Sequence, residues 1–128
     1  MTYTTQSSVD NSFKSGESDF IRKAMKQPLL TKEVEQQLTR AWKHSRDSKA
    51  LDRLIRSYSR LAVSSALKYK KFGLPVSDLI QEANVGLMQA ADKFDPDRDV
   101  RFSTYAAWWI KAAIQEYILR NWSMVRIG

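Results

Sequence analysis

In the stretch 102–121, FSTYAAWWIKAAIQEYILRN, the apolar residues Ile110, Ile114 and Ile118 recur every four positions and trace one stripe of a helix. At about 100° per residue, Tyr105, Trp108, Trp109 and Ala112 fall on the far side, where an amphipathic helix ordinarily carries charge. Three rings flanked by Arg101 and Lys111 suit a surface that stacks bases and holds phosphates. On this stretch alone, a helix buried on both faces accounts for the same rings equally well.

The remaining pattern is also helical. Over 48–72 the spacing of Leu51, Leu54, Ile55, Tyr58, Leu61, Ala62, Ser65 and Tyr69 predicts one long amphipathic helix, stopped by Gly73 and Pro75. Ser77 is expected to cap the next helix, which runs to about Phe94. Its inner face is Ile80, Ala83, Leu87, Ala91 and Phe94, whereas Asp78, Gln81, Glu82, Val85 and Gln89 gather outside. Solvation is the commonest reason for such a polar, acidic face. The run DPDRDVRFS, 95–103, reads as a loop dense in turn formers. Earlier in the chain, Thr31 offers an N-cap to a helix ending near His44, with Glu33 and Glu35 suited to its positive end. A short helix over 19–26 is expected to stop before Pro28, and 1–18 reads as a polar, disordered tail. No strand signal competes, so the expected class is all-α, with Leu54, Leu61, Ile80, Leu87, Ile110 and Ile114 in the core.

Composition narrows the function. A chain of 128 residues, 43% of them hydrophobic, can bury one modest core, and its net charge of +7 favours a polyanionic partner. No apolar run approaches the length of a spanning helix and no signal-peptide core is visible, so the expected setting is cytoplasmic, without membrane insertion. The absence of cysteine excludes disulfides and thiolate metal sites. The one histidine, His44, sits in the polar run KHSRDSK and reads as a solvated side chain. No Gly-rich phosphate loop, internal repeat or nucleophile–base spacing is present, and neither an enzyme, a metal nor a cofactor is expected.

The run GLPVSDLIQEANVGLMQAADKFDPDRDVRFSTYAAWWIKAAIQEYILRNW resembles the second conserved region of bacterial sigma factors, which guide RNA polymerase to promoters. DLIQEANVGLM and FSTYAAWWIKAAI carry the resemblance in the family's order and spacing, and EYILRNWSMVRIG looks like its heat-shock branch. On this basis 19–47 resembles the helical region preceding the second region, sigma region 1.2, and 48–128 the second region itself. The chain looks like a fragment that stops before the modules reading the spacer and the minus-35 element.

The resemblance implies roles residue by residue. Asp78, Gln81, Glu82, Asn84 and Met88 would dock on the clamp coiled coil of the largest polymerase subunit. Tyr105 would stack an adenine extruded from the non-template strand of the minus-ten element, with Phe94, Arg98, Arg101, Phe102 and Trp108 around the pocket and Trp109 at the upstream edge of the melted DNA. Lys111, Arg120 and Arg126 are candidate phosphate contacts. Ala112 and Gln115 stand where primary factors have glutamine and threonine, so a primary-type promoter preference is not expected. Val100 replaces a usual aromatic and Tyr58 a usual asparagine, which would alter the pocket rim and the downstream base contact. The sequence leaves open whether a chaperone, protease or anti-sigma protein also binds. Two other classes stay open: a helix-turn-helix regulator of duplex DNA, and a helical adaptor with its aromatics in a protein or lipid interface.

Overall fold

The computed structural model describes residues 30–127, with side chains through Trp122. The expected tail over 1–18, the expected helix over 19–26 and the side chain of Arg126 lie outside the described residues. Among the described residues four α-helices follow one another: α1 (Lys32–Ser45), α2 (Ser48–Leu67), α3 (Val76–Lys93) and α4 (Phe102–Ile127). No strand occurs among the described residues, and the architecture is all-α.

Thr31 caps α1 as its sequence suggests, its hydroxyl accepting the Val34 N–H at 3.2 Å. The end of α1 carried no glycine to announce it. Arg46 itself adopts a left-handed φ of 51°, and Arg46 and Asp47 return their N–H groups to Trp42 and Ala41. The guanidinium of Arg46 lies 4.7 Å from the Trp42 ring centroid and pairs with Asp92 at 2.9 Å, holding the turn against α3. Asp47 then caps α2, accepting from the N–H groups of Lys49 and Ala50.

Two sequence expectations about boundaries are corrected. The helix predicted to run over 48–72 ends at Leu67, where Lys68 and Tyr69 donate to Ser65 and Ala66 three residues back, and a 3₁₀ turn, Lys70–Phe72, leads to Gly73 at φ 84°. Helical and 3₁₀ periods barely diverge over a single turn, so side-chain spacing could not separate them. The following helix is not capped by Ser77. It starts two residues earlier, at Val76 with Pro75 in the cap position, because Pro75 holds a φ compatible with helix entry and Val76 is buried in the core.

The core joins Leu54, Tyr58, Ala62, Val63 and Ala66 of α2 to Leu79, Ile80, Ala83 and Leu87 of α3 and to Phe102, Ala106, Ile110, Ile114 and Ile118 of α4. Of the six core residues expected from the sequence, Leu61 alone stays partly exposed, at the margin of this cluster. The crossing of α3 and α4 is unusually close at Gly86. A Cβ added there would lie 2.6 Å from the carbonyl oxygen of Trp109 and 2.8 Å from Cα of Ile110, so the backbone of α4 rests directly on α3.

Candidate nucleic-acid interface

The rings of α4 divide between its two faces. Ile110, Ile114 and Ile118 are buried as one stripe, while Trp108 is 73% exposed and Tyr105 and Trp109 are half-buried. Trp108 therefore stands in water, which a helix buried on both faces would not allow. Ala112, Lys111, Gln115 and Arg120 are exposed farther along the helix.

Tyr105 and Trp108 form one wall of an open groove of about 660 Å³, opposite the loop that carries Phe94, Arg98 and Val100. Behind the wall runs a relay of rings. Tyr58 packs on Phe102 at 5.4 Å between centroids, Phe102 meets Phe94 edge-on at 5.3 Å, and Phe94 lies 5.4 Å from Tyr105, itself 6.3 Å from Trp109. Such offset and edge contacts fix ring planes and hold Tyr105 at a set angle. Its hydroxyl also donates to the carbonyl oxygen of Lys93 at 3.4 Å, and the Lys93 ammonium sits 5.9 Å from the Trp109 ring. Lys93 and Arg98 place two cations at the groove and Asp95 and Asp99 two carboxylates, so an incoming polyanion meets mixed charge around an aromatic floor.

The structure separates the expected site residues. Phe94, Arg98, Tyr105 and Trp108 meet at the groove, and Trp109 adjoins it behind Tyr105. Phe102 does not line it: the ring is wholly buried beneath Phe94 and Tyr58, although it lies on the same side of α4 as Tyr105. Arg101 is turned away from the groove toward α1. Tyr58, expected near a downstream base contact, is buried in the core.

What draws these residues inward is Glu35, assigned from the sequence only to the positive end of its own helix. Its side chain is 3% exposed and accepts from Arg101 Nε at 3.1 Å, from the Phe102 backbone N–H at 2.9 Å and from the Tyr58 hydroxyl. The carboxylate thus caps α4 from another helix, meeting an amide that has no partner within α4 and the positive end of the macrodipole. Burial first, and then the hydrogen bond to Glu35, push the Tyr58 hydroxyl well above its ordinary range, while the bond to Glu35 raises Arg101. Arg101 also donates to the carbonyl of Leu30 at 3.0 Å, and Arg40 pairs with Asp97 at 3.1 Å. α1 therefore braces the groove loop near its middle and at its end.

On α3, Asp78, Gln81 and Met88 are exposed on the outer face, with Glu82 and Asn84 half-buried at its edges. The Tyr117 hydroxyl donates to Asp78 at 3.0 Å and Arg120 approaches Glu82 at 3.9 Å, so α4 borders this acidic face. Burial, then Asp78, raises the Tyr117 hydroxyl. Among the described residues no three histidine, aspartate or glutamate side chains converge on a cation site.

Residues 54–124 match the Sigma-70 region 2 family, and the chain belongs to it. The RNA polymerase sigma factor RpoH of Zymomonas mobilis is 52% identical over 101 residues, 79% of this chain and 33% of that protein. RpoH of Caulobacter vibrioides is 45% identical over 113 residues, 88% of this chain and 38% of its own length. The RNA polymerase sigma-C factor of Myxococcus xanthus is 45% identical over 122 residues, 94% of the chain and 41% of that factor. The chain thus spans about a third to two-fifths of the length of these curated relatives.

Proposed function

We propose that the chain is the polymerase-docking and minus-ten-reading part of a bacterial RNA polymerase sigma factor of heat-shock type. The observation that carries this reading is the groove whose wall presents Tyr105 and an exposed Trp108 beside cations. A base that leaves the duplex enters this groove and stacks on Tyr105, with Phe94 behind the ring and Arg98 at the rim. Trp109 then marks the upstream end of the open strand, and Lys111, Ala112 and Gln115 face the paired DNA beyond it. Extruding a base costs a few kcal/mol and stacking on an aromatic ring returns roughly 1–3 kcal/mol, so opening follows from preferential binding of the separated strand and needs no covalent step. Phe102 and Arg101 serve as supports of that wall. The outer face of α3 docks on core polymerase through Asp78, Gln81, Glu82, Asn84 and Met88, carboxylates and amides pairing with basic partners and Met88 filling an apolar edge. The protein accordingly works in the bacterial cytoplasm, at the nucleoid when polymerase is bound.

Affinity for a single-stranded minus-ten oligonucleotide, its scrambled version and the matching duplex, with and without core polymerase, tests the reading. The expected order is single strand over scrambled and over duplex, strengthened by core polymerase. Tyr105→Ala should abolish the preference while Tyr105→Phe, which keeps the ring and loses only a 3.4 Å hydrogen bond, retains most of it. A preference for duplex would instead indicate a helix-turn-helix reader.

A further inference from the structure

The turn after α2 carries an aromatic and cationic rim that the groove does not use. Phe72 is 48% exposed, its ring stacks on Tyr69 at 6.0 Å and 24°, and the Lys71 ammonium lies 5.7 Å from its centroid. Lys68, Lys70 and Lys71 are all exposed within this one turn. The rim abuts α4, because the Gln115 amide donates to the Tyr69 hydroxyl oxygen at 3.4 Å.

The other side of α4 has the opposite sign. Tyr117, about 200° around the helix from Gln115, meets Asp78, and Arg120 meets Glu82. The exposed strip of Trp108, Ala112 and Leu119 therefore runs between a lysine-rich rim and an acidic one. A polyanion lying along this strip is repelled by one border and attracted by the other. Gln115 stands ten residues beyond Tyr105, about 15 Å along the helix, which is some four base pairs at about 3.4 Å each.

We propose that the segment 68–72 is a second DNA contact, binding the phosphate backbone of the duplex just upstream of the captured strand. Lys68 and Lys71 neutralise phosphates, and Phe72 supplies an apolar face to the sugars between them. This rests on the base-capture reading, which sets both the direction of the DNA along α4 and the point beyond Trp109 where it is paired.

The test uses the full chain with core polymerase and two templates: a fork with a duplex arm upstream of a single-stranded minus-ten element, and the single-stranded element alone. Lys68→Ala with Lys71→Ala should weaken fork binding on the order of tenfold at moderate salt, and lower the slope of log affinity against log salt by up to about two. Affinity for the single strand should not change. Unchanged fork binding overturns the inference. So does an equal loss on both templates, which would mean that the lysines act without regard to the upstream duplex. Failure of the unsubstituted protein to prefer the minus-ten strand over its scrambled version overturns the base-capture reading itself, and is seen before any variant is made.

Discussion

Removing the carboxylate of Glu35 should uncouple α1 from the start of α4. Glu35→Ala leaves the Tyr58 hydroxyl and the Phe102 N–H without their acceptor in surroundings closed to water. Each buried group so abandoned costs about 1–3 kcal/mol. Arg101 is different: its side chain is 42% exposed, so the freed guanidinium turns to solvent and adds little. The expected destabilisation is about 3–4 kcal/mol for Glu35→Ala, which lowers Tm by roughly 12–30 °C in a domain of this size. Glu35→Gln keeps the volume and one acceptor oxygen for Phe102 while facing Arg101 with an amide, and should lose about 1–2 kcal/mol. Urea unfolding followed by tryptophan fluorescence, beside thermal melts by circular dichroism, measures both. A Glu35→Ala protein within about 1 kcal/mol of the parent would refute the claim that this carboxylate holds the groove loop.

Gly86→Ala should cost at least about 1–3 kcal/mol, since the new methyl forces the helices apart by a large part of an ångström; a thermal melt unchanged within 2 °C would contradict the close crossing. Tyr58 ionises with greater difficulty folded than unfolded, so the folded state holds its proton above about pH 10 where the unfolded chain releases it, and stability should fall as pH rises from there. Tyr58→Phe should remove up to one proton's share of that slope, about 1.4 kcal/mol per pH unit, as read from urea midpoints between pH 9 and 11. Gln81→Ala with Glu82→Lys should reduce core-polymerase capture in a pull-down without unfolding the domain, because the Glu82–Arg120 pair is long and partly exposed and contributes little; full capture by the folded double variant would return this face to solvent.

The four-residue recurrence of Ile110, Ile114 and Ile118 made the buried stripe of α4 legible in the sequence, and with it the side on which the rings would emerge. Thr31 was legible because capping is local: the hydroxyl and the amide it serves are three residues apart. The end of α2 was not, since the alternative turn places the same side chains at nearly the same angles. Periodicity likewise could not tell Phe102, a ring beneath the groove, from Tyr105, a ring within it. The role of Glu35 was out of reach for a different reason. Its partners are 23, 66 and 67 residues away, and a glutamate in a first helical turn has an adequate local explanation. Gly86 carried no sign of its own either, because what forbids a side chain there is the backbone of another helix.

That contact at Gly86 ties together two surfaces that could otherwise be treated separately. At Gly86 no side chain separates α3 from α4, so at that point of the crossing the two backbones meet directly and leave little room to shift. On the proposed reading, seating polymerase against α3 also sets the position of α4 to within the play of a backbone contact. The domain then works as a gauge: whichever surface is seated first dictates where the other stands, and one added methyl group would be felt at both.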